Sequence, residues 1–236
     1  MSRARRVRSE ATAAARSFLR RRTAVFFTFF FPALVVVVFG ALVTTSGGGG
    51  GLFAEPPAYY VPGYLAVVVL LTPLSRVGST VARHREGNRF EKLATTPLTR
   101  AEWLAAHALV NAAVIGLAGA AVVALTVVLT DAAVTLSPLL APFVVAGVVL
   151  FCAVGAVLGR IADSQDGVIA AANAVGFPLL FLSETFVPPE MLPAWFRPAV
   201  ALSPLAYFAR GVRALTYWPT VPAADRLYGL RLHERI

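Results

Sequence analysis

The chain lacks most of the residue types from which catalytic and metal sites are built. Its 236 residues include one cysteine, Cys152, one lysine, Lys92, and three histidines. A lone cysteine forms no intrachain disulfide and no multi-cysteine metal site. Cys152 lies within an apolar run and is expected to be a small buried hydrophobe. His107 has no second histidine or carboxylate at ligand spacing, so no metal is expected there. No acid/base pair or activated nucleophile stands out, which argues against an enzyme, and no cofactor is expected. Lys92 follows Glu91, so there is no phosphate-binding loop ending in Gly-Lys-Ser/Thr and the chain cannot itself be that kind of ATPase motor.

Charge is missing from long stretches. No Asp, Glu, Lys or Arg occurs between Thr23 and Ala54, or between Leu104 and Thr130. Both runs exceed the roughly 20 residues a helix needs to cross hydrocarbon. In lipid the backbone must satisfy its own hydrogen bonds, which makes such runs helices. Hydrophobic residues make up 58% of the chain, charged ones only 14%. The expected fold is therefore all-α and polytopic, one membrane domain of five spans at about 24–45, 58–80, 104–129, 138–159 and 167–187. Mid-span acids of the kind ion-coupled carriers use are nearly absent. Arg76 and His107 fall near span ends, and Asn111 and Asn173 are expected to hold helices together across an interface.

The charge that is present is sided. Eight arginines precede the first run, six basic residues from Arg76 to Arg100 occupy the second connection, and Arg160 follows the fourth run, whereas connections 46–57 and 130–137 have none. Basic loops stay in the cytoplasm, so the N-terminus is expected there, in a cell-membrane protein. The net charge of +9 then reflects topology and contact with lipid headgroups, and nucleic acid is not an expected partner. The N-terminal apolar run is longer than a cleavable signal segment and no clear cleavage site follows, which predicts an uncleaved first span.

Residues 1–22 form the first expected unit. Val7, Ala11, Ala14, Ala15, Phe18 and Leu19 recur at helical spacing, which predicts an amphipathic helix along the inner leaflet; the alternative is a disordered basic tail. Residues 23–218 form the membrane domain. Within its long basic connection, Gly87 and Pro97 predict short helices joined by turns. Thr99 and Glu102 have the spacing of a capping box, with Leu98 and Trp103 at staple positions. The connection reads equally as a well-capped helix start or as a surface on which a cytoplasmic partner pushes. Residues 188–218 are apolar but interrupted by Pro188, Pro189, Pro193, Pro198 and Pro204, and Arg210 and Arg213 oppose insertion. They are expected as short broken helices in the outer leaflet with an aromatic interface layer that includes Trp195, Tyr207, Phe208 and Tyr217.

The loop Arg83-His-Arg-Glu-Gly-Asn-Arg-Phe-Glu-Lys-Leu-Ala-Thr-Thr-Pro-Leu98 resembles the cytoplasmic loop of type-2 ABC exporter permeases, R-E-x-G-[ST]-x-E-x-L-x-x-[ST]-P. Ser183-Glu-Thr-Phe-Val-Pro-Pro-Glu-Met-Leu-Pro-Ala-Trp-Phe196 and Ser203-Pro-Leu-Ala-Tyr-Phe-Ala-Arg-Gly-Val-Arg213 resemble the segments that follow span five in that family. The order and placement of the three motifs cover about residues 5–218.

The resemblance implies a permease subunit of an ATP-driven exporter that moves an amphiphilic or lipid-like substrate outward. Its partners would be a cytoplasmic ATP-binding cassette subunit, a second permease copy in a homodimer or heterodimer, and membrane lipids. Arg85, Glu86, Gly87, Glu91, Lys92, Leu93 and Pro97 would couple to the ATPase subunit, and Glu184, Pro188, Glu190, Pro193 and Arg213 would belong to an outer re-entrant segment. Two departures accompany it. Glu184 stands where the family often has glycine, either touching substrate or pairing with Arg197, Arg210 or Arg213. The family also has a sixth span, whereas residues 219–236 read as a polar tail too short to cross. A non-transporting structural or assembly subunit is the alternative reading.

Overall fold

The structure is a computed structural model that describes residues 2–38, 57–132, 134–183, 195 and 197–217. Among the described residues every regular element is a helix: α1 (Arg3–Leu19), α2 (Arg22–Val36), α3 (Pro57–Glu86), α4 (Arg89–Ala94), α5 (Arg100–Thr130), α6 (Leu140–Ile161), α7 (Gln165–Phe181), α8 (Arg197–Ala201) and α9 (Pro204–Thr216). α3, α5 and α6 are long and apolar enough to cross a membrane. α2 and α7 are apolar but shorter, at 15 and 17 residues, and the stretches 39–45 and 184–187 that were expected to complete their spans lie outside the described residues. The expected polar tail at 219–236 lies outside them as well.

α3 is the central helix. Its sequence is apolar on every side, so burial on one face alone would leave large hydrophobes exposed. Val61, Leu65, Val68, Leu70, Leu74 and Val77 are buried, and α2, α5, α6, α7 and α9 pack around them. The surrounding helices turn apolar side chains outward: Phe26, Phe27 and Phe30 on α2, Leu117 and Val128 on α5, Val149 and Val157 on α6, Phe177 on α7. An apolar surface of that extent is unfavourable in water and suits hydrocarbon.

α3 and α6 meet backbone to backbone. A Cβ added at Gly155 would lie 2.6 Å from the Leu74 carbonyl oxygen, and one at Gly159 would overlap the Gly78 carbonyl. On α3, a Cβ at Gly78 would lie 2.9 Å from the Gly155 carbonyl. Between lipid-facing helices the hydrophobic effect gives little drive, so close approach through small residues supplies the attraction by van der Waals contact. Gly155 and Gly159 form the four-residue small-residue repeat that permits this, a signal present in the sequence but not used in the expectations above.

At one end of the bundle α1 lies along α5, with Ala11 packed on Ala106 and Val110. The expected amphipathic helix is present, but its apolar face rests on protein. At the opposite end Asp131, in the left-handed region at φ 49°, ends α5, and the Thr135 amide donates to the Thr216 carbonyl at 3.1 Å, tying the following segment to α9. α8 and α9 are separate short helices, as the prolines and arginines predicted. Phe208 departs from the expected interface layer: it is buried and stacks on Phe143 with centroids 5.6 Å apart, because α9 turns that face toward α3 and α6. Neither asparagine side chain bonds another helix among the described residues. The Asn111 amide donates to the His107 carbonyl one turn earlier in its own helix at 2.8 Å, and Asn173 faces outward from α7.

Gly159→Leu is expected to destabilise the bundle by at least about 1–3 kcal/mol, since neither backbone can yield. The melting temperature in nonionic micelles measures it, with Gly116→Leu, a position with open space around it, expected to change little.

Candidate functional site

The six basic residues of the long connection and the arginines of α1 converge at one end. α3 runs beyond its apolar stretch to Glu86 and stops where Gly87 and Asn88 turn the chain. The Gly87 amide donates to Arg83 at 3.0 Å, and Asn88 takes a left-handed conformation at φ 51°, which asparagine tolerates better than most residues. α4 follows, with Glu91 and Lys92 exposed and Leu93 half-buried against the main core. The Thr95 and Thr96 hydroxyls donate back to the Lys92 and Leu93 carbonyls at 2.8 and 2.7 Å, closing α4 before exposed Pro97. The capping box then starts α5: the Glu102 amide donates to Thr99 Oγ1 at 3.2 Å and the Thr99 amide to Glu102 Oε2 at 3.0 Å. Leu98 and Trp103, the staple pair, both join the core.

Arg85 and Glu86 do not simply project into solvent. The Arg85 guanidinium donates to the carbonyls of Arg160 and Ala162 at the C-terminus of α6. Glu86 Oε1 accepts from the Gln165 amide at 3.1 Å, in the first turn of α7. A cation therefore meets unpaired carbonyls at one helix end and an anion meets unpaired amides at the next, each matched to the local dipole. This arrangement ties the α3–α4 turn to the α6–α7 connection.

Glu102 has a second task. Arg6 of α1 grips it through two contacts, Nε to Oε2 at 3.0 Å and Nη2 to Oε1 at 2.5 Å. The same carboxylate therefore caps α5 and fixes α1 against it. One turn further along, Glu10 Oε1 lies 3.6 Å from His107 Nε2, an ion-pair distance, and the contact holds the Glu10 carboxyl below its ordinary value. That part of the α1 attachment is present above the ordinary glutamate range and is lost as pH falls through the depressed value. The His107 ring also lies 4.1 Å from Trp103, which meets Phe90 and His84 edge-on.

Between α1, the start of α2, α3, α4 and α5 lies a cavity of about 820 Å³. Its deep wall carries Arg76, whose guanidinium carbon sits 4.0 Å from the centre of the Phe18 ring. The loop motif supplies Arg83, His84, Arg89, Lys92, Leu93 and Thr96 to its lining, but the cavity itself has no sequence signature, because residues of α1, α2 and α5, distant along the chain from that loop or on another of its flanks, complete it. Among the expected outer-segment residues, Arg213 lies 4.2 Å over the Tyr59 ring, while Glu184, Pro188, Glu190 and Pro193 lie outside the described residues.

Arg85→Ala is expected to leave the fold intact, because a solvent-exposed helix-end contact of this kind contributes about 0.3–1 kcal/mol. Amide exchange at residues 162–168 should nevertheless rise by about two- to fivefold, read by hydrogen–deuterium exchange, with α5 unchanged.

Comparison with known proteins agrees with these motifs. Residues 8–217 match the family described as ABC-2 type transporter. The daunorubicin resistance ABC transporter permease protein DrrB1 of Streptomyces coeruleorubidus is 36% identical over 62 residues, which are 26% of this chain and 22% of that protein. The alignment thus spans less than a quarter of that relative's length. No solved structure matches the chain significantly. The family match runs through all three motifs and nearly the whole helical bundle, and the chain belongs to the ABC-2 type transporter family.

Proposed function

We propose that the chain is the membrane subunit of an ATP-driven exporter, with its basic end in the cytoplasm, and that it moves an amphiphilic substrate outward. ABC-2 permeases pair with ATP-binding subunits that hydrolyse the nucleotide, which fits a chain without a phosphate-binding loop. One observation carries the reading. The exposed turn 87–97 continues from the end of α3, where Arg85 and Glu86 contact the α6–α7 connection, and leads through the Thr99–Glu102 cap into α5. Leu93 anchors the turn inward while Glu91, Lys92 and Pro97 face out. A partner that displaces this turn moves four helices together, as a transmitted stroke requires.

The substrate class rests on the apolar character of the bundle and on the drug resistance named in the relative, both of which suit amphiphiles better than small ions. A second copy fits the outer face of α7. Asn173 is exposed there between Ile169 and Phe177, and an amide facing lipid is unfavourable unless another helix supplies a hydrogen-bond partner.

Affinity-tagged wild-type chain should co-purify with an ATP-binding protein and raise its ATPase activity. Exposed-residue variants Glu91→Lys and Lys92→Glu should lose at least about tenfold of that association, a change of about 1.4 kcal/mol, at unchanged melting temperature. Wild type that recruits no ATP-binding protein would favour the structural-subunit reading. For the second copy, Asn173→Leu should weaken self-association by about three- to thirtyfold, measured by light scattering in micelles.

A further inference from the structure

The basic cavity holds far more positive charge than the protein itself balances. Arg21, Arg76, Arg83, Arg89 and Lys92 line it, and the only carboxylate in its wall, Glu10, is directed at His107. Two arginines elsewhere at this end have acceptors, Arg6 on Glu102 and Arg85 on two carbonyls. Two of the cavity arginines instead leave N–H groups unmatched: Nη1 of Arg76 and Nε of Arg83 are buried without a hydrogen-bond partner. Cations gathered in a partly desolvated space repel one another, and their unsatisfied N–H groups cost free energy, unless an anion with several acceptor oxygens joins them. Guanidinium groups match phosphate oxygens in charge and geometry.

The remaining lining says what else the ligand carries. Ala14, Phe18, Ala24 and Leu93 make apolar wall beside the cations. Arg76 lies ten residues before the end of α3, about 15 Å along the helix from the exposed turn, so the cations extend inward along the bundle. From Ala24 at the rim, α2 leads away with Phe26, Phe27, Phe30 and Phe31 exposed, a surface along which an acyl chain can lie.

We propose that this cavity binds the phosphate headgroup of an anionic membrane lipid, held by Arg76 and Arg83 at its deep wall and by Arg21, Arg89 and Lys92 nearer the surface. Bound there, the headgroup bridges α1 and α2 to α3 and α4, and so clamps the N-terminal helix to the exposed turn. The inference needs a membrane setting but does not rest on export, because its test reads binding.

The full chain in nonionic micelles is titrated with dihexanoyl phosphatidylglycerol, with dihexanoyl phosphatidylcholine and with glycerol phosphate. Melting temperature reports binding, and so does tryptophan fluorescence in a Trp195→Phe, Trp218→Phe background, where Trp103, packed on His107 of the cavity wall, is the remaining tryptophan. Phosphatidylglycerol should bind saturably and stabilise, and the other two should bind at least about tenfold more weakly. Arg76→Gln and, independently, Arg83→Gln should each weaken phosphatidylglycerol by about tenfold or more, as expected for a lost charge-assisted hydrogen bond. Arg100→Gln removes the same charge from an exposed position outside the cavity and should change affinity by less than about twofold. Equal losses in Arg83→Gln and Arg100→Gln would overturn the site in favour of general attraction. Phosphatidylcholine binding as tightly as phosphatidylglycerol would remove the anionic requirement, and glycerol phosphate matching the lipid would reassign the cavity to a soluble anion.

Discussion

The contact between α3 and α6 through Gly78, Gly155 and Gly159 is the constraint from which the other positions follow. Where hydrocarbon surrounds a bundle, two apolar helices gain little by leaving lipid for each other, and what remains is the density of contact their surfaces can reach. Here no side chain stands between the backbones. That brings α3 into the middle, where α2, α5, α7 and α9 close around its remaining faces, and it brings the C-terminus of α6 beside the C-terminal turn of α3. The Arg85 and Glu86 contacts to the α6–α7 connection are possible only because the seam has already aligned those ends.

The basic end is organised by a shortage of anions. The Glu102 carboxylate serves two groups at once, the Thr99 amide at the start of its own helix and the Arg6 guanidinium. Glu86 caps α7, and Glu10 faces His107. Once these carboxylates are committed, Arg76 and Arg83 are left in the cavity without a protein acceptor. The excess charge thus leaves an unbalanced interior site, at the end that the proposed reading places in the cytoplasm. The proposed lipid clamp would fill that site, since the headgroups that attract a basic surface also supply the missing anion.

Glu86 and Arg85 also change the meaning of the loop motif. A motif of this type reads as an outward docking patch, yet two of its charged members face helix ends of the same chain and the exposed part is shorter, centred on α4. In the proposed reading the partner touches Glu91, Lys92 and Pro97, and the Arg-Glu pair relays displacement to α6 and α7. Both proposed tasks sit within residues 85–97, and the break after Glu86 suits them: a continuous helix would carry α4 away from the core that Leu93 holds.

Much of this was legible in the sequence, and for definite reasons. Hydropathy along a helix is a local sum, so the apolar helices could be placed from the chain alone. The Thr99–Glu102 cap spans three residues, and the turn at Gly87 depends on backbone conformation within one step. The separation of α8 from α9 follows from Pro204, which opens α9 and cannot continue a preceding helix. What the tertiary structure decided is what depends on distance across the bundle. The outward turn of Asn173, the burial of Phe208, the Arg6 grip on Glu102 across 96 positions and the convergence of five cations on one cavity have no local signature. They arise because helix packing selects which face of each helix meets another, and a hydrophobic pattern that is apolar all round leaves that rotation open.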